Sequence, residues 1–268
     1  MPKPAATDRE SNSGTQALRR AMALLRLITT HNRTGLRLTD LHRMSEIEKP
    51  TVHRILQGLL GEGMLRQDVN SKRYFLGAAM YEMGLAAAPR LAVRDVCHPY
   101  LRILAEQTGD TVFLIERSKF DGVCMDRAEG SFPIKALVLD VGRRRPLTVG
   151  GGSLAILSAL SEPEVQRICA INDARSKERF PRYSAEELQQ DLIDARTRGY
   201  VIKDALEIPG VRTVAVPIRQ TDGTPAGAIS VTAIAARLDH NRSALIAGYI
   251  SDAVAQIEAE LSGRGTPA

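Results

Sequence analysis

Thr51, His53, Arg54 and Gln57 fall on the polar side of one short run, KPTVHRILQGLLG, when it is wound as a helix. Short hydroxyl, imidazole, guanidinium and amide groups gathered near a helix start supply what a DNA major groove requires. They offer donors and acceptors for base edges, and cations for phosphates. Val52, Ile55, Leu56, Leu59 and Leu60 recur at helical spacing and form an apolar back. The same pattern also fits a solvated amphipathic helix in an ordinary helical bundle, because helix pairs are common.

A reading surface of this kind needs elements to hold it. LTDLHRMS forms a preceding short helix, with Thr39 as N-cap of a helix starting at Asp40 and with Leu38, Leu41 and Met44 apolar. SEIEKP is a polar break. Pro50 suits the first position of the second helix, and Gly61 and Gly63 stop it. Upstream, a helix from about Thr15 presents Leu18, Ala21, Met22, Leu25 and Ile28 on one face and ends at HNRTG. Downstream, MLRQD and RYFLG read as two strands around a polar turn, VNSKR, that carries Lys72 and Arg73. Three helices followed by a β-hairpin make a winged helix.

Charge agrees with a polyanionic partner for this segment. The first 76 residues hold 13 Lys or Arg against 7 Asp or Glu, and the remainder holds 23 against 24. Cys97, Cys124 and Cys169 are too few and too scattered for a disulfide framework or a zinc site, so a reducing cytoplasm is expected. The N-terminal residues lack the apolar run of a signal peptide, and no membrane span is expected. G-x-S-x-G, H-E-x-x-H, P-loop and C-x-x-C motifs are absent. The histidines His31, His42, His53, His98 and His240 make no nucleophile–base pair with a partner, so no catalytic residue, cofactor or metal is expected.

The expected divisions are a disordered tail over 1–13, a DNA-binding domain over 14–76, a linking helix over 77–90 and a second domain over 91–263. In the linking helix, Met80, Met83 and Leu85 are apolar, the methionines and Tyr81 read as packing residues, and Pro89 reads as its stop. A helix over Arg94–Thr108 opens the second domain. TVFLIERS, GVCMDRAEG and IKALVLDVG read as strands. A helix starts near Ser153 after three glycines, and SAEELQQDLIDARTR is another, capped by Ser184 and ended by Gly199. TVAVPIRQ, TDGT and AGAISVTA form strand, turn and strand, and a helix over about Asn241–Leu261 closes the domain. The fold class is therefore α+β, with an antiparallel sheet flanked by helices in the second domain.

With both domains placed, the chain resembles the IclR family of bacterial transcription regulators. The resemblance runs from about Gly14 to Gly263 and rests on ALRRAMALLRLI, LTDL with KPTVHRILQGLL, RYFLG, EQTGDTVFL, VCMDRAEG, RRRPL, TRGYVIKD, PGVRTVAVPI and GAISVTA. It implies a winged helix-turn-helix, a linker helix and a GAF-like α/β domain that binds a small organic effector. It also implies homodimers or homotetramers on a palindromic operator in double-stranded DNA, with no membrane partner. Members of this family commonly sense carboxylates or aromatic acids of catabolic pathways, and they repress, activate or do both.

On that resemblance, DNA contacts are expected from Thr39, Lys49, Thr51, His53, Arg54, Lys72 and Arg73. Thr51 and His53 are candidates for bases, and Arg54 for guanine or phosphate. The effector is expected at Gly151 and Gly152, whose amides at a helix start would hold a carboxylate, with Lys203 or Asp204, Thr213, Ser230 and Thr232. Ile134 and Leu137 are expected to give the apolar wall. The sequence departs from the family at Pro50, Ser153, Leu154, Lys203 and Thr213. Lys203 stands where the family has an acid, which points to an anionic effector, and three glycines leave room for a larger or flatter one. The competing functions are an architectural DNA-binding protein and an enzyme built on a GAF-like domain.

Overall fold

The computed structural model describes residues 10–87 and 92–264, which fall into two units, Met1–Arg90 and Leu91–Ala268. In the first, α1 (Glu10–Thr30), α2 (Leu38–Ser45) and α3 (Lys49–Gly61) precede a hairpin of β1 (Leu65–Gln67) and β2 (Tyr74–Leu76), then α4 (Ala78–Ala87). Leu24, Leu25 and Ile28 of α1 meet Leu41 of α2 and Val52, Leu56 and Leu59 of α3 in one core, closed by Leu65 and Tyr74 of the hairpin. The hairpin pairs Arg66 with Phe75 and Gln67 with Tyr74. Its tip is set by Asp68, whose carboxylate accepts from the Ser71 amide at 2.7 Å and hydroxyl at 2.6 Å.

Several expectations for this unit need correction. Helix α1 starts at Glu10, so residues 10–13 of the expected tail are helical, and residues 1–9 lie outside the described residues. Leu18 and Met22 face outward, because the inward stripe runs through Leu24, Leu25 and Ile28. Thr39 is not a cap. Helix α2 begins one residue before it with Arg37 as N-cap, and the Asp40 carboxylate accepts from the Arg37 amide at 3.0 Å. On α4, Tyr81, Met83 and Leu85 are exposed within this unit rather than packed. Pro89 lies outside the described residues.

The second unit is a six-stranded antiparallel sheet between two helical layers. Strands β3 (Thr111–Ser118), β4 (Asp121–Glu129), β5 (Arg144–Pro146), β6 (Val201–Asp204), β7 (Val211–Arg219) and β8 (Pro225–Ile234) lie in the order β5-β4-β3-β8-β7-β6. Side chains alternate across a strand. Val112, Leu114, Val214, Val216, Ile229 and Val231 therefore point to one face, where α5 (Ala92–Thr108) and α9 (His240–Arg264) cover them. Phe113, Ala215, Ala228 and Val201 point to the other, under α6 (Gly151–Ser158), α7 (Glu162–Arg179) and α8 (Ala185–Arg198). Buried Asp110 ties the start of β3 to the turn before α9 and to the first turn of α9, accepting from Arg237 Nε and Arg242 Nη2, each at 3.0 Å.

The expected strand IKALVLDVG is not one. Strand β5 pairs with Asp121–Val123 of β4, and residues 134–142 cross as a strap that buries Ala136 and Leu139. Gly142, at φ +82°, then turns the chain onto β4, donating to the Cys124 carbonyl at 2.8 Å. Helix α7 was not expected from the sequence. Helix α8 follows expectation: Ser184 Oγ accepts from the Glu187 amide, and Gly199 ends the helix at φ +80°.

Candidate functional site

Each unit carries one candidate surface. On the first, α3 buries Val52 and Leu56 completely, which turns Lys49, His53, Arg54 and Gln57 outward and leaves Thr51 half-buried. Those four exposed side chains make no hydrogen bond or ion pair with other described residues. No acidic residue occupies the first turn of α3, so the positive helix start and Lys49 act in the same sense toward an anion. Thr39 is exposed in the first turn of α2.

The wing divides its two basic residues by role. Lys72 stands exposed at the tip in a left-handed conformation, φ +57°. Arg73 turns inward, and its Nη1 donates to the Gly35 carbonyl at 2.8 Å, tying β2 to the loop before α2. Gly35 is required there, because a Cβ would fall 2.5 Å from the Phe75 ring and φ is +67°. A further exposed cation, missed in the sequence, is Arg66, whose guanidinium lies 4.4 Å from the Phe75 ring centre. The register that sets Arg66 opposite Phe75 carries the signal, since cross-strand partners meet on one face.

On the second unit, the N-terminus of α6 lies almost flush on the sheet. A Cβ on Gly151 would come within 2.6 Å of Thr213 Cγ2, and one on Gly152 within 2.6 Å of Ile115 Cγ1. Glycine thus brings main-chain amides, rather than side chains, up to the strands. The first amide of α6 that closes onto the preceding turn is that of Leu154, which donates to Gly150. Residues 151–153, whose amides precede the first intrahelical bond, line a cavity of about 40 Å³. Thr213, Ser230 and Thr232 line its strand side, all buried, with Thr213 Oγ1 and Thr232 Oγ1 3.0 Å apart. Lys203 lines it from β6.

Six of the residues expected for an effector therefore converge: Gly151, Gly152, Lys203, Thr213, Ser230 and Thr232. Three do not line the cavity. Ile134 is 58% exposed on the strap, Leu137 lies beside it, and Asp204 points outward to pair with Arg212 Nε at 2.6 Å. Alternation on β6 explains the last, since neighbouring residues take opposite faces. The apolar wall is instead Phe113, Ile115, Val138 and Leu139.

Two charged residues complete the lining and were missed, Arg145 of β5 and Glu207 of the β6–β7 loop. Arg145 is 7% exposed, donates to the Val138 carbonyl and forms an ion pair with Glu207. Burial holds the Arg145 guanidinium below its ordinary value despite the Glu207 carboxylate beside it. Lys203 likewise has an internal partner, Asp191 of α8, whose carboxyl burial raises against the pull of that amine. RRRPL showed a cluster of arginines, but nothing local marks which one turns inward.

Other chemistry finds little support in this geometry. Burial pushes the Cys97 and Cys124 thiols up to about 12, far from a reactive thiolate. Among the described residues, no three His, Cys, Asp or Glu gather as metal ligands would, and no helix is long and apolar enough to cross a membrane.

Known proteins agree with this arrangement over both units. Residues 17–69 match the model of the IclR helix-turn-helix domain, and residues 85–259 that of the bacterial transcriptional regulator IclR C-terminal domain. The chain is 30% identical to the HTH-type transcriptional regulator BhcR of Paracoccus denitrificans, over 94% of this chain and 88% of that one. It is 26% identical to the transcriptional repressor IclR of Escherichia coli, over 90% and 88%. Its fold matches that of an IclR homolog from Microbacterium hydrocarbonoxydans crystallised with 4-hydroxybenzoate. The TM-score is 0.72 at 20% identity, over 92% of this chain and 99% of the other. With the winged helix-turn-helix and the helix-flanked antiparallel sheet both in place, the chain belongs to the IclR family of DNA-binding transcriptional regulators.

Proposed function

We propose that this regulator responds to a small organic anion, a carboxylate or aromatic acid, and controls a catabolic operon in the cytoplasm. The observation that carries the reading is the convergence of the α6 amides with Thr213, Ser230 and Thr232 on one cavity. Amides at a helix start favour negative charge, and hydroxyls fix its orientation. The 4-hydroxybenzoate complex of the Microbacterium homolog supports the same chemical class.

On DNA, α3 enters the major groove. Thr51 and His53 face bases, while Lys49, Arg54 and Lys72, with Thr39 at the start of α2, meet the backbone. One winged helix spans few base pairs, so the working form is a homodimer or homotetramer on a palindromic operator.

The test is a titration of the purified protein with its own upstream intergenic DNA by fluorescence anisotropy. It is run with and without a panel of aromatic and aliphatic carboxylates, and at several salt concentrations. Sequence-specific binding altered by one acid is the expected result. Binding that responds only to neutral or cationic compounds would overturn the effector class, and binding no tighter than to random DNA would overturn the operator reading.

A further inference from the structure

The cavity already holds an anion, and that anion belongs to the chain itself. Glu207 lies in the loop between β6 and β7, and its carboxylate pairs with Arg145, with Arg143 Nη2 a further 3.8 Å contact. The space left among the lining groups is narrow, about 40 Å³, room for a few waters. Arg145 is nonetheless not saturated. Its Nε–H is buried and has no acceptor among the described residues, although its Nη2 bonds to Glu207 and to the Val138 carbonyl. A nine-tenths buried guanidinium with one donor idle is a site built for more acceptor than Glu207 supplies.

We infer that Glu207 is an internal stand-in for the effector, a carboxylate seated at Arg145 that an incoming organic anion must displace. This rests on the carboxylate reading given above and adds a second partner for the ligand's charge, since Arg145 borders the start of α6, its Nη1 3.7 Å from where a Cβ on Gly150 would stand. A planar carboxylate offers two acceptors and can meet Arg145 bidentately, which one contact to Glu207 does not achieve. Expulsion of Glu207 frees the middle of the loop, residues 206–209, which the ion pair ties to the strap through Arg145 and Val138, while Ala205 and Gly210 stay bonded to Val211 and Ala235. It also widens the space beside Arg145. The neighbouring cation, Lys203, keeps its own partner Asp191 and need not change. Affinity for an external acid is then reduced by the fraction of molecules in which Glu207 holds the seat.

Calorimetric titration of acetate, benzoate and 4-hydroxybenzoate into the full-length wild type, Glu207→Gln and Glu207→Gln/Arg145→Gln tests this. Glutamine keeps an acceptor for Arg145 while removing the competing charge, which protects the fold. The single variant should bind at least one acid about tenfold or more tighter than wild type, and the double variant should lose that gain. Hydrogen exchange of the ligand-free proteins should show faster amide exchange over residues 206–208 in Glu207→Gln. Equal affinity in wild type and Glu207→Gln, a gain that survives Arg145→Gln, or unchanged exchange would each overturn the inference. Acids that bind all three proteins equally would remove the stand-in yet leave the carboxylate reading intact. Acids that bind none of them would remove both.

Discussion

Thr213 Oγ1 and Thr232 Oγ1 lie 3.0 Å apart across directly opposed positions of β7 and β8, both buried at the floor of the cavity. Each hydroxyl can satisfy the other while leaving lone pairs and one proton for a ligand. Thr213→Val leaves Thr232 with an unmet buried hydroxyl and should cost about 1–3 kcal/mol. Valine at both positions removes donor and acceptor together, and should cost less than the sum of the single changes. Urea denaturation of the four members of this double-mutant cycle measures the coupling.

Gly151→Ala should destabilise the second unit by about 1–3 kcal/mol, as overpacking does. The added Cβ would press on Thr213 Cγ2 and Cβ, at 2.6 and 2.9 Å, with a sheet on one side and a helix start on the other. Gly199→Ala tests a different cause, since its Cβ would meet open space and only the backbone at φ +80° resists. A shift in urea midpoint is expected for both. The Gly151 change should also lower affinity for any acid bound at α6, whereas the Gly199 change should not.

Lys72 and Arg73 are adjacent in sequence, yet their substitutions should be read by different instruments. Lys72→Ala should lower operator affinity and reduce the slope of log K against log salt by about one, as loss of a phosphate contact does. Arg73→Ala removes a donor to the Gly35 carbonyl and should appear mainly as a lower unfolding midpoint of the DNA-binding unit. Its salt slope should stay near that of wild type.

Glu116 predicts a dependence of stability on pH. Burial on β3 pushes its carboxyl up from an ordinary 4.5 to about 7, and one of its oxygens is buried without a partner. Between those two values the folded chain holds a proton that the unfolded chain has released. Its favourable contribution is therefore full below about pH 4.5 and is lost as pH rises through about 7. Glu116→Gln should leave stability near pH 5 little changed and raise it relative to wild type near pH 8. Urea midpoints at the two pH values check this.

Legibility in the sequence followed the range of the forces involved. The β7–β8 hairpin was readable because apolar alternation and TDGT are both local signals, and α8 because Ser184 and Gly199 bracket it. Helix α7 escaped because two of its four buried positions are polar. Asn172 Nδ2 donates to the Phe120 carbonyl at 2.8 Å, and Ser176 Oγ lies 2.8 Å from Thr148 Oγ1, so the inward stripe does not read as apolar. Residues 134–142 show the opposite failure, since β-branched content cannot reveal that it is β5, further along the chain, that pairs with β4. The cavity divides in the same way. Gly151, Thr213, Ser230 and Thr232 were found on local pattern joined to a family likeness. Arg145 and Glu207 meet across 62 positions of sequence, and nothing near either one announces the other.

The flush seating of α6 has a consequence for how the second unit can diversify. Its helix contributes peptide groups to the cavity, and these are the same whatever the side chains, so that wall is a constant part. Recognition is left to a few strand positions, such as Lys203, Thr213, Ser230 and Thr232, each flanked along its strand by residues facing the opposite side. An exchange at one of them alters what the cavity accepts without entering the core beneath α5 and α9. The domain is thus divided between a fixed scaffold and a short list of interchangeable contacts, an arrangement in which the cavity lining can change one substitution at a time.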